Sequence, residues 1–338
     1  MTNSLFIVWT KYQSRAESLA IDFDEKLNGV EIVYRENPPA NKIKKVFMYL
    51  KYFYLDFKQI KAGSYKSVFV QTPPSYALAA PLFVRRFFKK DLKVISDCHN
   101  ALTREPWLST MGNQKMLEKC DSILLHNEVV FEKVINEKTF PTVDQKRILI
   151  LEDKTPFTFK IERKAEFLDV KKPYVFFPAS FNHDEPILEV IKAAELLAEV
   201  HFVMTGNPKK LEKNFNIAES DIPSNMTLSG WLTIEEYKYI LQEADVLIGL
   251  TLFDDIQMSV SNEGLGAEKA MVLSNKKALK NIYLDGAFYT ENEAKDISKT
   301  ITLALENKEV LEMKIKKVKE IKEKRYEKQL ELVFKSIT

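Results

Sequence analysis

Short apolar runs recur along this chain, and a stretch of helical periodicity follows most of them. SLFIVW precedes RAESLAIDFDEKL, and NGVEIVY precedes the long KIKKVFMYLKYFYLDFKQI. SVFVQ precedes SYALAAPLFVRRFF, and then come KVISD, SILLHN with FEKVINEK, and RILILE. Short apolar or period-2 runs read as strands, and 3.6-period runs read as helices. Strands alternating with helices build a parallel, doubly wound sheet with helices on both faces. The alternation restarts near residue 173 with PYVFFPAS and PILEVIKAAELLAE, then VHFVMTG, PKKLEKNF, MTLSGW, TIEEYKYILQEA and DVLIGLTLF. Between the two series, TPFTFKIERKAEFLDVKK breaks the pattern and is charged. An α/β chain of two Rossmann-like domains facing across a cleft is expected, over 1–160 and 161–312. A charged helix over 313–338 either ends as a solvated tail or crosses back to brace the first domain. A length of 338 residues, 45% of them hydrophobic, suits two such cores.

Charge is unevenly spread. Residues 1–165 hold 27 Lys+Arg against 19 Asp+Glu, a balance of +8; the remainder holds 23 against 29, a balance of −6. Between Lys42 and Lys93 there are 12 basic residues and only Asp56 and Asp91 as acids. A basic front half points to an anionic partner. Val46, Phe47, Leu50, Phe53, Tyr54 and Phe57 fall at helical spacing, which reads first as core. The lysines and arginines around them also make a basic, aromatic face suited to an anionic membrane surface, at about 1 kcal/mol per close basic residue. No nucleic-acid recognition module is visible, so nucleic acid is not an expected partner.

No apolar run approaches the roughly 18 residues of a membrane span. The start, MTNSLFIVWTKYQSR, does not read as a secretory leader. Cys98 and Cys120 form no CxxC pair. A reducing, cytoplasmic setting is expected, peripheral at the inner face of the membrane, with neither disulfide nor zinc site. The turn after the first strand, TKYQSR, has no glycine where a dinucleotide fold carries GxGxxG; GxxxxGK[ST] and HExxH are also absent. Hydride transfer and P-loop chemistry are disfavoured, and no metal or resident cofactor is expected.

An anionic ligand in a glycine-poor chain needs a helix N-terminus, where free N–H groups and the helix dipole favour negative charge. The segment DDIQMSVSNEGLGAEKAMVLS, after the strand candidate ADVLIGLTLF, offers one starting near Met258. Glu263, about one turn in, suits the paired hydroxyls of a ribose, and Asp255 suits sugar hydroxyls.

Asp255 and Glu263 are separated by seven residues, and AEKAMVLSNKKALKNIYLDGAF follows. This resembles the carboxylate-x7-Glu motif of GT-B glycosyltransferases, close to family four. FVQTPPSYALAAPLF and VISDCHN resemble the dolichol-pathway β-1,4-mannosyltransferases and their bacterial polysaccharide relatives. PASFNHDEPI resembles their Ser-Trp-x-x-Asp-Glu region, and the likeness spans nearly the whole chain. The resemblance implies that Asp255 contacts donor sugar and Glu263 holds ribose. Trp231 and Leu232 would border the base, and Met258 and Ser259 would offer amides to the diphosphate. Ser180 and His183 would also line the donor site.

Three departures stand out. The first acid is Asp, not Glu. Glu268 stands where the pattern has Gly. The loop SFNHDEP lacks the Arg and Lys that neutralise the leaving diphosphate, so Lys269, Arg15, Arg104 or helix N-termini must supply that charge. In the first half, His99 beside Asp97 follows a strand: a hydrogen-bonded turn, or a contact with donor or acceptor. Asp97 would orient His99 or act as general base, with Glu105 a weaker base candidate. Ser75 in PPSYA caps a stiff turn or walls the acceptor, with Arg104 and Glu105 also on that side. His126 and His201 read as structural. The function implied is transfer of a hexosyl group from a UDP- or GDP-linked sugar to a glycan or lipid-linked acceptor. The alternatives are a non-catalytic partner subunit of a transferase and a nucleotide-sugar epimerase.

Overall fold

The computed structural model describes residues 3–156 and 171–337. Two compact units divide the chain: Met1–Lys154 with Arg325–Thr338, and Thr155–Lys324. The expected boundary after residue 160 and most of the expected linker lie outside the described residues.

The first unit contains β1 (Ser4–Val8), α1 (Ser14–Leu27), β2 (Val30–Tyr34), α2 (Lys42–Ala62), β3 (Ser67–Thr72) and α3 (Ala79–Phe87). It continues through β4 (Lys93–Cys98), α4 (Asn113–Leu117), β5 (Ser122–Leu125), α5 (Glu128–Asn136) and β6 (Ile148–Ile150). The strands form one sheet of order β2-β1-β3-β4-β5-β6, and every pairing is parallel. Strand side chains alternate between faces. Leu5, Ile7, Val68 and Val70 therefore join a core containing Tyr52 and Ile60 of α2 and Val84 of α3. Phe6, Val8, Phe69 and Ile95 join the opposite core with Leu19 and Phe23 of α1.

The second unit contains β7 (Tyr174–Pro178), α6 (Ile187–Leu196), β8 (His201–Thr205), α7 (Pro208–Phe215), β9 (Met226–Gly230) and α8 (Ile234–Glu243). It continues with β10 (Val246–Gly249), α9 (Ser259–Gly266), β11 (Met271–Ser274), α10 (Lys277–Tyr283), β12 (Phe288–Thr290) and α11 (Ala294–Glu306). Its sheet has the order β12-β11-β10-β7-β8-β9, again parallel throughout. The last helix, α12 (Lys308–Ile337), is continuous across the division at residue 325. Its Ile315 and Val318 sit in a core of the second unit, and its Tyr326, Val333 and Phe334 sit in a core of the first.

In each sheet the chain leaves its first strand to one side and later returns to the other. The reversal falls between β1 and β3 in one sheet and between β7 and β10 in the other. Ligands of doubly wound folds bind beyond the carboxyl ends of the strands at such a reversal. In these sheets that means the loops after β1 and β3, and those after β7 and β10.

Candidate functional site

In the second unit, the β7–α6 loop and the loop after β10 are tied together. The Leu252 amide donates to the Asp184 carbonyl (2.7 Å), and Thr251 Oγ1 donates to Asp184 Oδ2 (3.3 Å). The chain then passes buried Asp255 and enters α9 with Met258 as its N-cap and Ser259 as its first helical residue. The N-cap side chain makes no hydrogen bond to that end, and the first amides of a helix have no partner within it, so the end suits an outside acceptor. Gly264 lets α9 lie close to the sheet, since a Cβ there would stand 2.5 Å from Leu247 Cδ2 and 2.5 Å from Met271 Sδ.

Glu263 is where the sequence expects it, one turn into α9, and it has a partner the sequence reading missed. Tyr237 Oη of α8 donates to Glu263 Oε2 in a short hydrogen bond. Burial raises the Glu263 carboxyl above its ordinary range, and the tyrosine bond opposes that rise. Thr233 and Glu236 form a capping box that starts α8 and fixes the turn carrying Tyr237. That box is readable in TIEE, although the contact it serves is not. Leu232, Tyr237 and Met258 pack against one apolar cluster. Trp231, at the end of β9, is 78% exposed, an indole face available for stacking.

The loop SFNHDEP folds around its own acid. Glu185 accepts hydrogen bonds from the amides of Ser180 (3.0 Å) and Asn182 (3.2 Å). Burial raises the Glu185 carboxyl, against the lowering by those amides. His183 is exposed and lies against Phe215, with ring centroids 5.8 Å apart. Lys210, in the first turn of α7, donates to the Ser180 carbonyl (2.6 Å) and to Asn182 Oδ1 (2.6 Å). A cation thus stands at this loop, contributed by the next βα unit rather than by the loop's own sequence.

Two of the cations expected to face a diphosphate are engaged elsewhere. Lys269 follows the C-terminal end of α9, the end opposite its first amides. Its Nζ donates to the Gln242 carbonyl (2.8 Å) and lies 3.7 Å from Glu312, and the residue is buried. Arg15 is enclosed in the first unit, where Asp97 and Asp153 pair with it. Glu268 has φ 56°, in the left-handed region that glycine favours. The resembled pattern has Gly there, and Lys319 holds the glutamate at 2.9 Å.

The first unit gathers a polar cluster past the ends of β4, β5 and β6. Arg15 Nε donates to Asp97 Oδ1 (3.0 Å), Nη1 to Asp153 Oδ1 (2.7 Å) and Nη2 to the Leu151 carbonyl (2.7 Å). Arg15 and Asp97 are buried. The guanidinium opposes the desolvation of Asp97 and holds its carboxyl well below the usual range. Asp97 is therefore an orienting anion and a poor general base. Two imidazoles flank it: His99 Nε2 lies 3.8 Å from Oδ2 and His126 Nε2 lies 3.7 Å from Oδ1. The rings meet edge to face at 4.4 Å. Both Nε2 atoms are buried without a hydrogen-bond partner. Burial, and then the neighbouring His126, push His99 down to about 3, so it is neutral at physiological pH. A neutral imidazole of that kind can orient a hydroxyl but takes up its proton weakly. His126, read from the sequence as structural, shares the cluster.

Asp97, His99 and His126 each offer a ligand atom, all within 4.8 Å of one another. A divalent ion there would compete with Arg15 for Asp97. Ser75 is buried just past β3, and its hydroxyl has no hydrogen-bond partner. Glu105 is exposed and accepts from Ser109 Oγ (2.5 Å), which stabilises a turn. Arg104 is half-buried at the end of the turn after β4. His201 bonds Thr227 Oγ1 (2.9 Å) within its sheet, a structural role.

No family model and no curated protein matches the sequence. Solved structures do match. Sucrose-phosphate synthase from Thermosynechococcus elongatus superposes with a TM-score of 0.75 at 10% identity, covering 99% of each chain. The UDP-forming trehalose-phosphate synthase of Burkholderia xenovorans gives 0.72 at 11% identity, over 100% of this chain and 99% of that one. Anabaena HepE in complex with UDP-glucose gives 0.66 at 12% identity, over 99% and 100%. The chain has the GT-B fold. Identities this low establish the fold alone, so the chemistry must be argued from the residues.

Proposed function

We propose that this chain is a glycosyltransferase of the family-four kind, moving a hexosyl group from a UDP- or GDP-linked sugar to a glycan or lipid-linked acceptor. The observation that carries the reading is α9. Its N-terminus follows the strand beside the sheet reversal, with buried Asp255 ahead of it and Glu263 one turn in, braced by Tyr237. The α9 amides take the diphosphate, Glu263 accepts from the ribose hydroxyls, Asp255 meets the sugar, and Trp231 and Leu232 border the base. Ser180 and His183 belong to the same loop region, and Lys210 supplies the cation that SFNHDEP lacks.

In the reaction, the bond between sugar C1 and the diphosphate oxygen breaks as an acceptor hydroxyl oxygen bonds to C1, and the hydroxyl proton passes to the departing nucleoside diphosphate or to water. Oriented N–H groups and a cation stabilise the leaving charge where it develops. His99, held against Asp97, orients a hydroxyl of acceptor or donor. Ser75, Arg104 and Glu105 belong to the acceptor side in this reading. No resident metal or other cofactor enters this scheme, in which the α9 amides and Lys210 meet the leaving charge. The work belongs to surface polysaccharide or glycoconjugate synthesis at the cytoplasmic side of a membrane.

Turnover by the purified full chain tests the reading. Acceptor-dependent release of nucleoside diphosphate, undiminished by EDTA, is expected. Sugar conversion without acceptor would make the chain an epimerase. No donor turnover with any acceptor would make it a partner subunit. Loss of turnover in EDTA, restored by added metal, would overturn the metal-independent scheme.

A further inference from the structure

The first unit carries an apolar surface that the donor and acceptor chemistry leaves unused. On α2, Ile43, Val46, Phe47, Leu50 and Tyr54 are between 58% and 69% exposed. Their spacing puts them within an arc of about 100° on one helix face. The opposite face holds Tyr52, Asp56 and Ile60, all buried against the sheet. The stripe that reads as core from the sequence is therefore divided: Phe53 and Phe57 pack inward in part, while the rest faces solvent.

The apolar face extends onto α3. Phe83 lies 6.0 Å from Phe53 and 5.8 Å from Phe57 between ring centroids, and Phe87 lies 4.7 Å from Phe83. Phe83, Phe87 and Phe88 are exposed. Apolar faces of this extent mark interaction sites.

Basic side chains border the face. Lys44, Lys51 and Lys58 are exposed along one edge of the α2 stripe, and Arg86 and Lys90 are exposed around α3. Lys61 Nζ sits 4.3 Å from the Phe88 ring centroid. No acidic side chain on α2 reaches solvent, since its only acid is the buried Asp56, paired with Arg35. Among the described residues, no helix is long and apolar enough to cross a membrane.

We propose that the α2–α3 face lies in the plane of an anionic lipid bilayer. The aliphatic and aromatic residues enter the boundary between headgroups and acyl chains, and the lysines and arginines meet the lipid phosphates. A helix with apolar residues on one face and lysines beside them is built for that geometry. A second copy of the chain fits worse, because it would bring the same basic border against itself. The inference is independent of the glycosyl-transfer reading, though a lipid-linked acceptor would give it a purpose.

The test is co-sedimentation of the full chain with vesicles of phosphatidylcholine, alone or with 30% phosphatidylglycerol. The wild type is expected to bind the anionic vesicles, weakly bind the neutral ones, and dissociate as salt rises. Each lost basic contact should weaken binding about fivefold, so Lys44→Glu with Lys51→Glu should lose at least 25-fold. Phe47→Glu with Leu50→Glu should lose at least tenfold while keeping the wild-type melting temperature, since both side chains are exposed. Three results would overturn the proposal. The wild type could stay in the supernatant at low salt. Binding could survive both double variants. Or the wild type could sediment as a dimer that Phe47→Glu with Leu50→Glu separates, which would assign the face to a second copy. Donor turnover in solution is measured separately, so failure of one reading leaves the other standing.

Discussion

Asp97 shows how much one buried residue can organise. Its carboxylate is kept ionised by Arg15, and the imidazoles of His99 and His126 face it. Protonation works against this arrangement at both kinds of group. His99 has its affinity for protons lowered by burial, so unfolding takes up a proton below the ordinary histidine range near 6.5. The folded state therefore loses stability as pH falls from about 6.5 towards 3, with a slope approaching about 1.4 kcal/mol per pH unit. Asp97, also lowered, adds its own loss below about 4. Urea denaturation at pH 7, 6 and 5 should show the first loss, and His99→Gln should flatten it. An equal slope in the variant would mean that another group titrates there.

At the scale of elements, the strands and most helices were legible because their periods are clean. The N-cap of α9 is Met258, where the sequence places the start of the helix. Other features were not legible because they depend on partners distant in sequence. Nothing near Lys269 says that its ammonium turns to the Gln242 carbonyl, and nothing near SFNHDEP says that Lys210 comes to it. The α2 stripe misled for a related reason: periodicity reports which residues share a face, and tertiary packing decides whether that face is covered. Pairing of Asp97 with Arg15 spans the sheet from α1 to β4 and left no local signal. Glu268 stands where the resembled pattern has Gly, and its backbone takes the left-handed conformation that glycine favours. Close packing around α9 gives a sharp prediction. A Cβ on Gly266 would stand 2.6 Å from the Pro156 carbonyl oxygen, a backbone atom that cannot rotate aside. Gly266→Ala should therefore cost about 1–3 kcal/mol by overpacking, read as a lower denaturant midpoint. An unchanged midpoint would show that the segment at Pro156 yields freely.

At the scale of the whole molecule, α12 contributes to the core of each unit. Tyr326 donates to Asp22 Oδ2 (2.6 Å), and Arg325 Nη2 donates to Glu152 Oε2 (2.8 Å). Phe334 meets Phe23 edge to face at 5.4 Å. Phe334→Ala should destabilise the chain by about 3–5 kcal/mol, and a calorimetric scan should show the loss as a lowered transition. No change would mean that the end of α12 contributes little to the first unit. The broader claim is that the second unit grips a nucleotide sugar through α9. Isothermal titration with UDP-sugars and GDP-sugars tests it most directly. The wild type should bind one of them, and Glu263→Ala should weaken that binding by roughly 2–3 kcal/mol, about 30–150-fold, because hydrogen bonds from the ribose to a charged acceptor are lost. Equal affinity in the two proteins would contradict the account.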